Sequence, residues 1–338
     1  MNYPWHNTAF KALLARRSNL PHALLLRGPQ GIGKLAFAEG LARALLCEKP
    51  APNGAACGQC VACGWIGQGG HPDFRRLEPG SLTQADDAEP GAEKKDKASS
   101  QIQVEPVRAI ADFINVSSHR GGARIVLIHP AEALNVNAAN ALLKGLEEPP
   151  PRTYFLLVTH RWHQLLPTIR SRCQHIALPR PAHGAAREWL GQQGLSDPEL
   201  ALAQAGGAPL VALKFDEDYW RQREQFLKSL AGGRFDALSV AERLREHAPA
   251  LVVGWLQKWA FDLVSQKTAG KVRYNPDLSG AVAAVAARLD LVEAVRFQRH
   301  VVRLQRIVNH PLNARLFFEE LMLRYAALLR GGAVEPAA

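Results

Sequence analysis

Through its first half the chain alternates short, predominantly apolar runs with longer stretches in which apolar residues recur every three or four positions. The runs are Ala23 to Leu26, Phe74 to Leu77, Arg124 to His129 and Tyr154 to Thr159, with a fifth candidate at His175 to Leu178. Successive apolar positions mean that both faces of a segment are buried, which is the pattern of strands in a parallel sheet covered by helices on both sides. Leu35 to Leu46 follows the first run with helical spacing, and a second helix ends at Glu147-Glu148, where Pro149-Pro150-Pro151 forbids continuation. Beyond Pro179-Arg180-Pro181 the pattern is helical throughout. A small unit occupies Ala182 to Leu213, and long amphipathic stretches follow, among them Leu251 to Val264 and Leu289 to Val308. Trp220, Trp255 and Trp259 fall in this part and are expected to be packing anchors. The predicted class is α/β, with a parallel-sheet domain over residues 1–178, a small helical domain over 179–213, an all-helical domain over 214–330 and a tail over 331–338.

Composition adds limits to this picture. At 338 residues the chain is long enough for two or three domains, each with its own core. Residues 79–101 are rich in Asp, Glu, Lys, Ser, Gly and Pro, the composition of a surface insertion. The first residues lack the apolar core of a signal peptide, and no run reaches the 18 apolar residues of a membrane span, so a cytoplasmic protein is expected. A net charge of +10 and a pI near 9.6 suit an anionic partner, nucleic acid first. The arginines are dispersed, however, and a solvated basic surface explains them equally well.

The first strand runs into Gly28-Pro29-Gln30-Gly31-Ile32-Gly33-Lys34, a Walker A phosphate loop in the expected strand-loop-helix setting. Gly28, Gly31 and Gly33 shape the loop, and Lys34 is the residue that reaches the outer phosphates. The position that should carry the Mg²⁺-binding hydroxyl is Leu35. After the third strand, where a P-loop ATPase keeps the acids that hold metal and orient water, stand His129 and Pro130; Glu132 is offset by two positions. These losses predict a loop that keeps its fold and does not bind ATP productively. His129, with no visible partner, reads as a strand-end residue.

Cys47, Cys57, Cys60 and Cys63 are spaced C-x9-C-x2-C-x2-C directly after the P-loop helix. Four thiolates on one short segment suit a tetrahedral structural Zn²⁺, closed to substrate. An iron–sulfur cluster is the rival reading; in the ferredoxin run the fourth cysteine follows the triplet and precedes a proline, whereas here it comes first. Ser171-Arg172-Cys173 adds an arginine after a short apolar run, and Cys173 reads as a small buried residue.

Taken with His71-Pro72-Asp73 and the stretch from Ala138 to Pro150 (AANALLKGLEEPP), these motifs resemble the delta-prime subunits of bacterial DNA polymerase III clamp loaders. The resemblance covers nearly the whole chain and is densest from Leu20 to Cys173. It implies an AAA+ P-loop domain, a helical lid and a helical collar that joins five subunits in a ring. It implies that Arg172 acts in trans, as an arginine finger on the ATP of the adjacent motor subunit, and that the four cysteines bind zinc. The implied partners are the ATPase subunits (tau or gamma), the delta subunit, the sliding clamp and primed DNA, with Lys144 a candidate DNA contact. Where motor subunits carry a lid arginine, this chain has Pro209 within Gly206-Gly207-Ala208-Pro209-Leu210. The alternatives are an ATP-hydrolysing motor acting on DNA, and a zinc-dependent nucleic-acid-binding module with a vestigial P-loop.

Overall fold

The computed structural model describes residues 3–82, 99–116, 118, 121–233, 235–305, 308 and 313–331. Most of the polar insertion, residues 83–98, lies outside the described residues, as does nearly all of the tail. The chain divides into two compact units, Met1–Ala182 and His183–Ala338.

In the first unit, strands β1 (Ala23–Arg27), β2 (Phe74–Leu77), β3 (Arg124–Ile128), β4 (Thr153–Thr159) and β5 (Gln174–Ala177) match the five apolar runs to within two residues at either end. All pairings are parallel, in the order β2-β3-β4-β1-β5. Helices α1 (Asn7–Ala15), α2 (Lys34–Leu46), α3 (Val61–Gly67), α4 (Val104–Asn115), α5 (Val136–Glu147) and α6 (Pro167–Arg172) belong to this unit. The strand alternation sorts the core into two layers. Ala23, Leu25, Val126, Ile128, Phe155 and Leu157 pack against α4, α5 and α6, while Leu24, Leu26, Ile125, Leu127, Leu156 and Val158 pack against α1 and α2. Residues 24–26, 125–128 and 155–158 have no solvent exposure at all, which is why their sequence shows no polar alternation. Parallel sheet, covering helices and helical C-terminal portion are the α/β class that the apolar pattern predicts.

The second unit is all-helical: α7 (His183–Gln192), α8 (Pro198–Gln204), α9 (Pro209–Ala212), α10 (Glu217–Ala231), α11 (Ala237–Leu244), α12 (Pro249–Ala269), α13 (Ser279–Arg288), α14 (Leu291–Leu304) and α15 (Ala314–Leu329). The stretch predicted from Leu251 to Val264 is part of a longer helix, α12, that begins at Pro249, where a proline costs no hydrogen bond. The stretch from Leu289 is shorter than its apolar pattern, because Asp290 caps α14 through the N–H groups of Val292 and Glu293. A small apolar cluster joins α7, α8 and α9, with Trp220 against it. A larger one centres on Trp255, Trp259, Phe297, Phe318 and Tyr325. Trp255 and Trp259 are buried as expected, and Trp259 donates to the Tyr325 hydroxyl at 3.0 Å.

Between these clusters lies a buried polar network that hydrophobic patterning does not foretell. Arg223, 2% exposed, pairs with both oxygens of Asp277 at 2.8 and 2.9 Å and donates to Asn275 Oδ1. Asp262, fully buried, accepts from the backbone N–H groups of Arg273, Tyr274 and Asn275. Gln204 of α8 reaches Asn275 Oδ1 at 2.8 Å. Each buried charge therefore has partners, without which burial costs several kcal/mol.

Candidate functional site

The phosphate loop has the backbone its glycines predict. Gly31 and Gly33 lie at φ of 77° and 91°, a region costly for other residues. A Cβ at Gly28 would overlap the carbonyl oxygen of Leu178, so only glycine fits there. Lys34, 2% exposed, turns back and donates to the Pro29 carbonyl at 2.5 Å. Burial pushes its amine down to about 8, against the attraction of Glu132. Leu35 is partly buried on the core beneath the loop and offers no oxygen.

An N-terminal turn, Pro4–His6, covers this loop, which the sequence gave no reason to expect. Trp5 Nε1 donates to the Ile32 carbonyl at 2.9 Å, and His6 Nε2 lies 2.7 Å from the same oxygen. The Tyr3 ring stacks on Trp5 and lies so close to Gly33 that a Cβ there would overlap it.

At the end of β3 the structure supplies a partner that the sequence does not show. His129 is a strand-end residue, as read, and is satisfied there: its Nδ1 is 3.0 Å from Glu78 Oε1, and Arg76 pairs with the other oxygen of Glu78 at 2.7 Å. These contacts hold the Glu78 carboxyl below its usual range although burial opposes them. Glu132 is occupied as well, since its carboxylate accepts from the His160 backbone N–H at 3.0 Å. His160 is pushed down to about 4, first by burial and then by Lys34. This pocket of charge is committed to structure, and Glu132 does not supply both roles of the missing acids.

The four cysteines converge. Cys47 Sγ and Cys60 Sγ are 3.9 Å apart, Cys57 Sγ and Cys63 Sγ 4.0 Å, and all four sulfurs lie within 4.8 Å of one another. Zn–S bonds of ~2.3 Å in a tetrahedron put the sulfurs ~3.8 Å apart, so the donor set fits a metal ion. Cys60 stands at the N-terminus of α3 with Cys63 in its first turn. Burial raises the Cys60 thiol, but backbone donors including the Cys63 N–H outweigh it and bring it to about 6. Cys63 is pushed up to about 12 by burial and by its neighbouring thiols. Cys173 is not among them; buried elsewhere, it too is pushed up to about 12.

Arg172 ends α6, where its hydrogen bonds go to Glu147 and to the Thr168 carbonyl. Lys144 is exposed in the last turn of α5, a position that the helix dipole alone favours for a cation. Pro209 opens α9 and is buried, so no cation occupies that place.

Known proteins match the chain over most of its length. A family profile described as "DNA polymerase III, delta subunit" matches residues 7–182, and "DNA polymerase III, delta subunit, C terminal" matches residues 217–326. The chain is 36% identical to DNA polymerase III subunit delta' of Pseudomonas aeruginosa, covering 96% of this chain and 98% of that one. It is 31% identical to the subunit of the same name from Escherichia coli, over 99% and 98%. Among solved structures, a DNA polymerase III gamma subunit-related protein of Thermotoga maritima aligns with 95% of this chain and 99% of its own, at a TM-score of 0.44 and 18% identity.

Proposed function

The chain belongs to the delta-prime subunit family of the bacterial DNA polymerase III clamp loader, and from that premise we propose that it is a non-hydrolysing subunit whose Arg172 serves a neighbour's ATP. The ring is pentameric, joined through the helices of residues 214–330, with residues 179–213 as the lid. Its neighbours include the tau or gamma ATPase subunits and delta, and the ring places the sliding clamp on primed DNA in the cytoplasm. Lys144 is the candidate for a direct DNA contact.

One observation carries the non-hydrolysing reading: Leu35 stands where Mg²⁺ needs a hydroxyl, in a loop whose lysine is satisfied by its own backbone. Glu132, bound to the His160 N–H and offset by two positions, is one carboxylate where metal and water need two. An ATP-hydrolysing motor needs both. Arg172 is the group with a use outside the chain, because an arginine brought to the γ-phosphate across a subunit boundary accelerates transfer by ~10³ to 10⁵. Cys47, Cys57, Cys60 and Cys63 would hold a structural Zn²⁺. With four sulfur ligands it would have no open position and would supply folding energy to the segment. The four-cysteine site has no accompanying aromatic or basic reading surface in the sequence, which disfavours a zinc-dependent nucleic-acid module.

The test is magnesium-dependent ATP turnover by the purified chain alone. None is expected, and none from Leu35→Ser, since the acids are still missing. Turnover above background by either protein overturns the reading.

A further inference from the structure

The guanidinium of Arg172 is held by its own chain. Nε donates to Glu147 Oε1 at 2.7 Å, Nη2 pairs with the same oxygen, and Nη1 donates to the Thr168 carbonyl at 3.0 Å. Glu147 is the last residue of α5, a position where a carboxylate faces the negative end of the helix dipole and is disfavoured. Arg172 is its ion-pair partner among the described residues. The sequence places these two residues 25 apart, and two separate helix ends bring them together.

An arginine has five N–H donors in a rigid plane. Three are engaged here: the one on Nε, one on Nη1 and one on Nη2. One donor each on Nη1 and Nη2 remains, and the Arg172 side chain is 34% exposed. That leaves a fork suited to two phosphate oxygens while the rest of the group stays anchored. An unanchored arginine would have to lose ~2 kcal/mol of rotamer freedom at each encounter, so anchoring favours a group that must meet a transition state in a fixed position.

We propose that Glu147 is a positioning residue for Arg172: its carboxylate fixes the guanidinium so that the two remaining terminal N–H groups face ATP bound by the adjacent subunit. The proposal rests on the trans-acting role of Arg172 given above. Glu147 itself touches neither nucleotide nor metal.

The experiment uses a reconstituted loader whose ATP sites other than the one facing Arg172 are silenced by substitution of their P-loop lysines. Steady-state ATPase with clamp and primed DNA is compared for wild type, Glu147→Ala, Glu147→Gln, Arg172→Ala and the Glu147→Ala/Arg172→Ala double variant. Misplacement of a catalytic group by ~1 Å costs ~10²-fold, so Glu147→Ala is expected to lower kcat roughly 10- to 100-fold with little change in the KM for ATP. Glu147→Gln should recover part of that loss, because its amide oxygen accepts the same hydrogen bond. The double variant should be no slower than Arg172→Ala alone. An unchanged or faster Glu147→Ala loader contradicts the proposal; a faster one would make Glu147 a restraint instead. A further loss in the double variant also contradicts it, by assigning Glu147 a structural effect independent of the arginine. If Arg172→Ala itself leaves the rate intact, the reading of Arg172 fails first, and that result is distinct from a failure confined to Glu147.

Discussion

Lys34 and His160 carry basic groups into poorly solvated surroundings, and both are held below their ordinary protonation range. Lys34 is brought to about 8 from 10.5 and His160 to about 4 from 6.5, with burial the first cause in each. The unfolded chain therefore binds more protons than the folded one between pH 4 and 6.5 for His160 and between pH 8 and 10.5 for Lys34. In both windows stability rises with pH. His6 and His300 are shifted in the same direction by burial and add to the acid side. Acidification from pH 6.5 to pH 4 should thus cost on the order of 2 kcal/mol through His160. Urea unfolding across that range measures it: His160→Gln should flatten the fall, and an unaltered pH slope would remove His160 from this role. None of this is legible in the sequence, where each is one basic residue with no sign of burial or of its neighbours.

Two short elements depend on contacts other than apolar packing. The segment from Cys47 to Cys63 has little apolar content to fold on, and its sulfurs are brought together by the end of α2 and the first turn of α3. A metal ion held by the four sulfurs would supply its stability. The purified protein should be colourless and carry one zinc per chain by elemental analysis. Cys60→Ser should lose the metal and open residues 47–63 to protease while the strands keep their far-ultraviolet signal. Absorbance from sulfur-to-iron transitions, or full metal retention by Cys60→Ser, would contradict the zinc reading. The cysteine spacing made this site readable in the sequence, since its ligands are close along the chain. The pairing of α5 with α6 through Glu147 and Arg172 was not readable. Both residues lie in quoted motifs, yet their contact depends on the return of the chain through β4.

For the molecule as a whole, the apolar pattern anticipated the strands, their parallel pairing and the helical second unit, because burial of the central strands β1, β3 and β4 on both faces leaves a trace at nearly every position. The two rings over the phosphate loop and the Arg223–Asp277–Asn275 network left none, since polar contacts over long sequence separations have no period. On the proposed reading the three departures at Leu35, His129-Pro130 and Pro209 belong together, as a nucleotide architecture kept without its metal ligands and its lid arginine. On the reading proposed above, what the chain contributes to ATP hydrolysis is the guanidinium of Arg172. The most direct measurement is the ATPase rate of a loader assembled with Arg172→Ala, with only the facing ATP site intact and with ring assembly verified by gel filtration. A fall of ~10³-fold or more, in a ring that still assembles, is predicted; an undiminished rate would contradict it.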